Sequence, residues 1–324
     1  MARITDIASW ASRHRRLLGA VQLVVLAAFF ISLGWALRGT VHSAVHDLDN
    51  ANLVYFALGC AALGGYYLVF VVGWIRILGE WGIELSYPAA LRAEMISMLA
   101  KYIPGGIWTP AARVVAARRA GVTDAALVTS SMLLEAGLSA VAGVIVFVVS
   151  LPFVDNVDAP LVPLVVFGAV LAVLVQPRVF RPLAGKVLRR FGYTRELPDM
   201  RARTLTLLLV FYAGTWILGG LALWLLLRSV GAHPEPASVV FLGGTAAVGA
   251  IVAVLFVFAP SGLGPREASM YGLMLAVSTQ GQALGAVALN RVALTVVELA
   301  LFVLGSLFLR GEREPAPVAD GPPL

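Results

Sequence analysis

Long apolar stretches alternate with short polar segments along most of the chain, and the charged residues are concentrated in those short segments. A transmembrane helix needs about 20 mainly apolar residues to cross roughly 30 Å of hydrocarbon. The pattern predicts membrane spans at 17–37, 52–78, 124–151, 160–176, 204–228, 238–259 and 282–309. We therefore predict an all-α, polytopic membrane helix bundle that occupies residues 1–310 as one transmembrane domain.

The composition agrees with a membrane location. Of the 324 residues, 60% are hydrophobic and only 13% are charged, whereas roughly a quarter of the residues of a soluble domain are charged. So few charges cannot cover the surface of a soluble protein of this size, but lipid tails accept apolar side chains on the outside. The net charge is +6, and a basic protein can bind nucleic acid. Because the excess lies between the apolar spans, we expect a topology signal and no nucleic-acid partner.

The charges of the loops predict which ends of the spans face the cytoplasm. Segments 38–51, 152–160 and 229–237 carry acidic residues and are predicted to face outward. Segment 177–203 is rich in Arg and is predicted to be cytoplasmic, where it serves either as a topology signal alone or as a contact for anionic lipid headgroups. The N-terminus and a flexible C-terminal tail, 311–324, are also predicted to be cytoplasmic, with the protein in the plasma (inner) membrane.

Two further apolar segments, 88–120 and 260–281, are interrupted by Pro and Gly. In the first, a helix is predicted to end at Pro104-Gly105-Gly106 and a second helix to begin near Ile107. In the second, the break follows a similar pattern at Pro260-Ser261-Gly262-Leu263-Gly264. Pro removes a backbone donor and Gly lowers helix stability, so each break ends a helix. Because both flanks of the first segment are predicted to be cytoplasmic, that segment should be re-entrant, whereas the second either re-enters or spans the membrane.

Each break is followed by a long apolar helix with an acid deep inside it, which is Glu135 in the first case and Glu298 in the second. This correspondence indicates a possible internal duplication. By loop charge the first segment enters from the cytoplasm, and a second segment that entered from outside would make the pair an inverted repeat. Two Pro/Gly-interrupted segments in corresponding halves of a membrane protein point to the binding site of a transporter.

Charged side chains within apolar stretches cost roughly 2.5–3.5 kcal/mol each, so they need partners or a wet cavity. Arg113 and Arg266 follow the two breaks closely. A helix N-terminus offers free N–H groups and a partial positive charge, and Arg binds phosphate through two parallel hydrogen bonds. The two arginines therefore predict a clamp for a lipid phosphate. The alternative is that each one only satisfies backbone carbonyls of a broken helix.

Other charges are predicted to lie deep in the membrane. Glu135 is expected near the midplane, where it either pairs with an Arg or carries a proton that couples transport. Arg291 and Glu298 are two turns, roughly 10 Å, apart on one helix and cannot touch. Each therefore needs a ligand or a partner on another helix, as in an inter-helix ion-pair network. Gly243 and Gly244 predict close helix packing.

Three residues near the breaks have two interpretations each. Lys101 either contacts phosphate or extends to the cytoplasmic interface. Tyr102 either contacts the lipid or belongs to the interfacial aromatic belt. Glu267 either binds substrate or only stabilises the first turn of its helix. The candidate substrate-binding residues are Lys101, Tyr102, Pro104, Gly105, Gly106, Arg113, Glu135, Pro260, Gly262, Gly264, Arg266, Glu267, Arg291 and Glu298. No catalytic triad, zinc pattern or Walker motif occurs in the sequence, so we predict no catalytic residue, metal or cofactor.

Two motifs carry a resemblance to a known family. They are Lys101-Tyr102-Ile103-Pro104-Gly105-Gly106-Ile107-Trp108 with Arg113, Gly121 and Glu135, and the later Pro260-x-Gly262-x-Gly264-x-Arg266-Glu267. They resemble the two hallmark motifs of the flippase-like transmembrane family, which includes the membrane half of lysylphosphatidylglycerol synthases, with mild departures at Ser261 and Pro265. The resemblance implies lipid translocation. Because no soluble synthase domain follows residue 310, we expect aminoacyl-transfer activity to be absent.

The leading hypothesis is that the protein flips an anionic phospholipid or a polyprenyl-phosphate-linked lipid between membrane leaflets and is not an enzyme. Two alternatives are a membrane enzyme that modifies a lipid headgroup, with Glu135 or Glu298 as its base, and a non-transporting scaffold for envelope assembly. The expected partners are an anionic membrane lipid and the bilayer itself, with a homo-oligomer or envelope enzymes as possible protein partners.

Overall fold

The computed structural model describes residues 51–101, 108–154, 161–190, 193, 196–256, 259 and 262–308, and the regular elements in these residues are all helical. The helices are α1 (Leu53–Glu80), α2 (Tyr87–Ala100), α3 (Trp108–Arg119), α4 (Ala125–Ser150), α5 (Leu161–Leu174), α6 (Pro177–Arg190), α7 (Ala202–Ser229), α8 (Ser238–Leu255), α9 (Pro265–Met274) and α10 (Gln280–Phe308). A 3₁₀ turn, Leu151–Phe153, follows α4. The predicted span 17–37 and the predicted tail 311–324 lie outside the described residues. The all-α bundle predicted from the sequence is confirmed.

Five helices of the described part are long and apolar enough to cross a membrane, namely α1, α4, α7, α8 and α10. They correspond to five of the predicted spans, and their bounds differ from the predicted bounds by a few residues. Helix α5 is shorter than the predicted span 160–176, because it has 14 residues, which amounts to about 21 Å of helix. Helix α6 follows it at an angle of 78° and so turns across the direction of α5.

Local sequence signals determine where several helices begin. The side chain of Asn52 accepts hydrogen bonds from two backbone N–H groups in the first turn of α1, and Asp124 does the same at the start of α4. Such caps satisfy N–H groups that have no partner within the helix. Helix α9 begins after Gly264 with Pro265 at its first position, where the missing N–H of Pro costs nothing.

One end of the bundle holds the C-terminus of α1 and the N-termini of α4 and α7. The backbone N–H of Arg201, which precedes α7, donates to the Glu80 carboxylate at the end of α1 (3.4 Å). The indole of Trp74, near the end of α1, donates to the Ser131 hydroxyl near the start of α4 (2.9 Å). We call this end the basic end, because Arg201 and the C-terminal arginines of α3 lie there.

The opposite end of the bundle holds the N-termini of α1 and α10 and the C-terminus of α7. The backbone N–H of Asn52, before α1, donates to the Ser229 carbonyl at the end of α7 (2.8 Å). The side-chain amide of Gln282, in the first turn of α10, donates to the Gly231 carbonyl just after α7 (3.3 Å).

The two broken segments enter the bundle from these opposite ends. The pair α2–α3 lies between the end of α1 and the start of α4, which are both at the basic end. The pair α8–α9 lies between the end of α7 and the start of α10, which are both at the opposite end. This is the arrangement that an inverted repeat requires. That the two segments form an inverted repeat, and that the two halves arose by duplication, both stay predictions.

Glycines allow the central helices to approach closely. A Cβ atom added at Gly243 of α8 would lie 2.6 Å from the carbonyl oxygen of Trp216 in α7. One added at Gly244 would lie 2.5 Å from the Cα atom of Phe147 in α4. The close packing predicted at these two glycines is therefore confirmed. Helix α8 therefore packs tightly against both α7 and α4.

Candidate functional site

A buried cluster of three charged side chains joins the first broken segment to α4. The guanidinium of Arg113, on α3, donates to the Glu135 carboxylate of α4 (2.7 Å) and forms a second ion pair with Glu94 of α2. Its Nε donates to the Ser97 hydroxyl (3.3 Å). All three charged residues are buried, with exposed fractions of 4% for Arg113, 4% for Glu135 and 7% for Glu94. We call Glu94, Arg113 and Glu135 the Arg113 cluster.

Two aromatic residues from neighbouring spans complete the surroundings of the Arg113 cluster. The Arg113 guanidinium lies 4.9 Å from the centre of the Trp74 ring in α1, within the range of a cation–π interaction. The Tyr212 hydroxyl of α7 donates to the second carboxylate oxygen of Glu135 (3.5 Å). One guanidinium therefore faces two carboxylates in a site closed by α1 and α7, which leaves one negative charge in excess when both acids are ionised.

A second cluster joins the first broken segment to the last helix. The carboxylate of Glu298, on α10, forms an ion pair with the ammonium of Lys101 at the end of α2. The Tyr67 hydroxyl of α1 donates to the same carboxylate oxygen (2.5 Å). The Glu298 side chain is almost fully buried and the Lys101 side chain is 27% exposed. We call Tyr67, Lys101 and Glu298 the Glu298 cluster. Because Tyr67 lies midway along α1, the first broken segment, which ends its first helix next to Lys101, reaches the middle of the bundle.

The second broken segment has an ion pair of its own. Arg291 of α10 pairs with Glu267 of α9 at 3.3 Å. The other carboxylate oxygen of Glu267 accepts the backbone N–H of Gly264 (2.6 Å) and thereby caps α9. The prediction that Arg291 and Glu298 need separate partners on other helices is confirmed. Glu267 stabilises the first turn of its helix, as its position indicated.

Arg266 differs from the other arginines at the breaks. It is the second residue of α9, its side chain is partly buried, and its Nε is buried with no hydrogen-bond partner among the described residues. Tyr66, Tyr67 and Lys101 lie within electrostatic range of its guanidinium. Tyr66 is also within electrostatic range of Glu94 and Glu135. The charged groups of the two broken segments therefore converge on adjacent tyrosines of α1.

The breaks themselves are only partly described. Of the predicted site residues, Tyr102, Pro104, Gly105, Gly106 and Pro260 lie outside the described residues. Gly262 and Gly264 have φ values of 67° and 93°, a backbone conformation that favours Gly. A Cβ atom at Gly262 would also overlap the Cβ atom of Ala253 in α8, so this glycine lets the chain fold back closely against α8.

The structure places Arg113 differently from the clamp predicted at a helix N-terminus. It is the sixth residue of α3 and lies in the second turn. Among the described residues, its guanidinium contacts two carboxylates and a hydroxyl. Glu135 is paired with an Arg, as one interpretation of the sequence had it. Phosphate binding by Arg113 and by Lys101 stays a prediction.

Sequence reasoning missed five residues that complete these clusters. They are Tyr67, Trp74, Glu94, Ser97 and Tyr212. Glu94 had a usable signal, because it is an acid within an interrupted apolar segment, which is the criterion that selected Glu135. The tyrosines and Trp74 carry no such signal, because aromatic residues within a span are ordinary core residues until their neighbours are known.

An apolar groove of about 540 Å³ lies on the side of the second broken segment. Its walls come from α4, α5, α8 and α9, and include Phe167, Ile251 and Gly272. Ser269, one turn after Arg266, also lines it. The groove therefore runs beside the short helix that carries Arg266, and its lining suits lipid tails and not a polar solute.

One comparison with known proteins identifies the family. Residues 16–301 match the sequence profile described as lysylphosphatidylglycerol synthase TM region. The matched range contains both broken segments, both charged clusters and the helices described above, except for the last residues of α10. A comparison with curated proteins gave no match. The match covers most of the chain, so the protein is an integral membrane protein that belongs to the lysylphosphatidylglycerol synthase transmembrane-region family.

Proposed function

We propose that the protein translocates an anionic phospholipid or a polyprenyl-phosphate-linked lipid between the two leaflets, without catalysing a covalent reaction. Its family supports a function related to membrane lipids. The observation that carries the finer proposal is the buried Nε of Arg266, which has no hydrogen-bond partner among the described residues. An unsatisfied donor on a buried cation is costly, and a phosphate supplies the acceptors that it lacks.

The surroundings of Arg266 suit a phosphate that is attached to apolar tails. Lys101, which pairs with Glu298, is a second cation in electrostatic range of Arg266, and the hydroxyl of Tyr66 is a donor nearby. The groove of about 540 Å³ beside α9 offers an apolar path for the tails. The headgroup would move through the polar centre while the tails stay in hydrocarbon, so the charge never crosses the bilayer core unpartnered.

The two charged clusters suit a device that opens and closes this path. The Glu298 cluster joins α1, α2 and α10, and the Arg113 cluster joins α2, α3 and α4. Both clusters hold the first broken segment, so breaking them would open the centre toward the basic end, whereas breaking the Arg291–Glu267 pair of the second broken segment would open it toward the opposite end. The sequence has no nucleotide-binding motif, so transport would follow a lipid gradient or use an ion gradient. The excess carboxylate of the Arg113 cluster is a candidate proton carrier.

Reconstitution of the full chain tests the proposal. Liposomes with a panel of labelled lipids, anionic and zwitterionic, are assayed for movement between leaflets with and without an imposed proton gradient. We expect anionic lipids to cross faster than in protein-free liposomes and zwitterionic lipids to cross at the protein-free rate. Labelled anionic lipids that stay on their own leaflet under every condition would count against translocation. Lipid analysis of a deletion strain separates an enzyme, whose loss removes a lipid species, from a translocator, whose loss misplaces one.

A further inference from the structure

Helix α6 is a basic amphipathic helix that the proposed translocation path does not use. Its apolar residues repeat at the spacing of one helix face. They are Phe180, Leu183, Ala184, Val187 and Leu188. Its cationic residues are Arg178, Arg181, Lys186, Arg189 and Arg190. The bend of 78° after α5 sets α6 across the direction of α5, as expected of a helix that lies along a membrane surface.

The apolar face of α6 does not pack fully against the bundle. A groove of about 810 Å³ separates it from the first turns of α4. Leu183 and Val187 line this groove and are still 50% and 52% exposed, and Leu133 on the α4 side is 61% exposed. Leu133 and Glu135 are two positions apart and therefore lie on nearly opposite faces of α4. The groove is thus separate from the central charged clusters.

One rim of the groove is cationic. Arg118 lines it. The exposed Lys186, Arg189 and Arg190 do not line it but lie beside it on the remaining faces of α6, and they have no acidic partner among the described residues. These four cations are what we call the cationic rim. The acid in the groove, Asp124, is already engaged, because it caps α4 and accepts a hydrogen bond from Tyr193. The rim carries four cations against this one acid, an excess of three positive charges, so the groove with its apolar walls is complementary to a lipid with an anionic headgroup.

We propose that this groove binds an anionic phospholipid, with an acyl chain between α6 and α4 and the phosphate against the cations of α6 and Arg118. A free phosphate ion is not the best ligand, because it would leave the apolar walls of the groove without a packing partner. The cationic rim disfavours a zwitterionic lipid, because its headgroup brings a positive charge to the same rim. The site lies at the basic end and is independent of the translocation proposal, because it involves other residues and requires no transport.

Native mass spectrometry of the full-length protein in detergent tests the site. Delipidated protein is titrated with dioleoyl phosphatidylglycerol and, separately, with dioleoyl phosphatidylcholine. The triple variant Lys186→Gln, Arg189→Gln, Arg190→Gln should bind phosphatidylglycerol roughly tenfold or more weakly than the wild type, since each basic residue near an anionic headgroup contributes to binding. Leu183→Asp, which puts a charge among the apolar walls, should weaken it by a similar factor. Arg203→Gln, an exposed position at the start of α7 outside the groove, should bind like the wild type.

Two results would overturn the proposal. One is wild-type phosphatidylglycerol affinity in both the triple variant and Leu183→Asp. The other is equal affinity of the wild type for phosphatidylcholine and phosphatidylglycerol, since the cationic rim would then have no effect. The measurement is made at equilibrium in detergent, so loss of translocation cannot produce either result.

Discussion

Lys101 and Glu298 form an ion pair although they are 197 positions apart in the chain. Lys101 directly follows α2, the first helix of the first broken segment, and Glu298 lies in the long helix that follows the second break. Tyr67 of α1 donates to the same carboxylate oxygen. This contact ties the two halves of the chain together in the middle of the bundle, next to the partly buried Arg266.

Reversing the charges of this ion pair tests whether the contact is direct. Glu298→Lys alone places two ammonium groups together in a buried site and should lower the free energy of unfolding by about 1–3 kcal/mol, a reduced cost because Lys101 is partly exposed. The double variant Lys101→Glu, Glu298→Lys restores opposite charges and should recover most of that loss. Thermal unfolding in detergent measures both. If the stability loss of the double variant equals the sum of the losses of Lys101→Glu and Glu298→Lys, the two residues do not interact.

Arg113 should be essential for stability. In Arg113→Gln, Glu94 and Glu135 remain buried together without a cation, so the free energy of unfolding should fall by about 3–5 kcal/mol. Arg113→Lys should rescue only part of this, because an ammonium cannot bridge two carboxylates and a hydroxyl with the fixed geometry of a guanidinium. Arg118→Gln, an exposed position on the same helix, is the control. Wild-type thermal stability of Arg113→Gln would contradict the account of this cluster.

Gly73 of α1 makes room for the tyrosine that contacts Glu135. A Cβ atom at this position would overlap the hydroxyl of Tyr212, and its three nearest neighbours all belong to that side chain. Gly73→Ala should therefore displace Tyr212 from Glu135 and cost about 1–3 kcal/mol of stability. Gly79→Ala on the same helix meets nothing within 4 Å and should be neutral or stabilise the helix by up to about 1 kcal/mol. Equal unfolding midpoints of the two variants would refute the predicted overlap.

Gly243 should tolerate substitution poorly, because its obstacle is backbone. A Cβ atom there would meet the carbonyl oxygen of Trp216 at 2.6 Å and its carbonyl carbon at 3.0 Å, and neither can rotate away. Gly243→Ala should separate α7 from α8 and cost about 3 kcal/mol, the upper end of overpacking costs. Gly214→Ala on α7 faces open space and should leave the unfolding midpoint unchanged. The two variants are compared by thermal unfolding in the same detergent, where similar losses in both would be evidence against close packing at Gly243.

The spans were predictable from the sequence because burial in hydrocarbon demands long apolar runs. The predicted 124–151 and 204–228 correspond to Ala125–Ser150 and Ala202–Ser229. Helix α6 was not predicted as a helix, although its apolar residues are spaced at i, i+3, i+4, i+7 and i+8 from Phe180. Its many charges indicated a loop, because an amphipathic surface helix is apolar on one face only and lacks the continuous apolar run that marks a span.

The partners of the buried charges were not predictable from hydropathy. The cost of a charge in the membrane indicated that Glu135 and Glu298 need partners, but it cannot say which residues they contact. Glu135 pairs with Arg113 on a neighbouring helix, whereas Glu298 pairs with Lys101 from the other half of the chain. The second contact depends on how the two halves pack, and that information lies in the three-dimensional arrangement of the helices and not in any local pattern.

The central claim is that Arg266 holds the lipid phosphate within the polar centre of the bundle. The most direct measurement is the rate at which a labelled anionic lipid crosses liposomes that contain Arg266→Gln, compared with wild type and with Arg203→Gln. Loss of a charge-assisted hydrogen bond is worth about 1.5–3 kcal/mol, so Arg266→Gln should transport roughly tenfold to a hundredfold more slowly. Its thermal stability should be unchanged or higher, because its buried donor has no protein partner to lose among the described residues. Wild-type transport by Arg266→Gln, in a protein that transports at all, would contradict the claim.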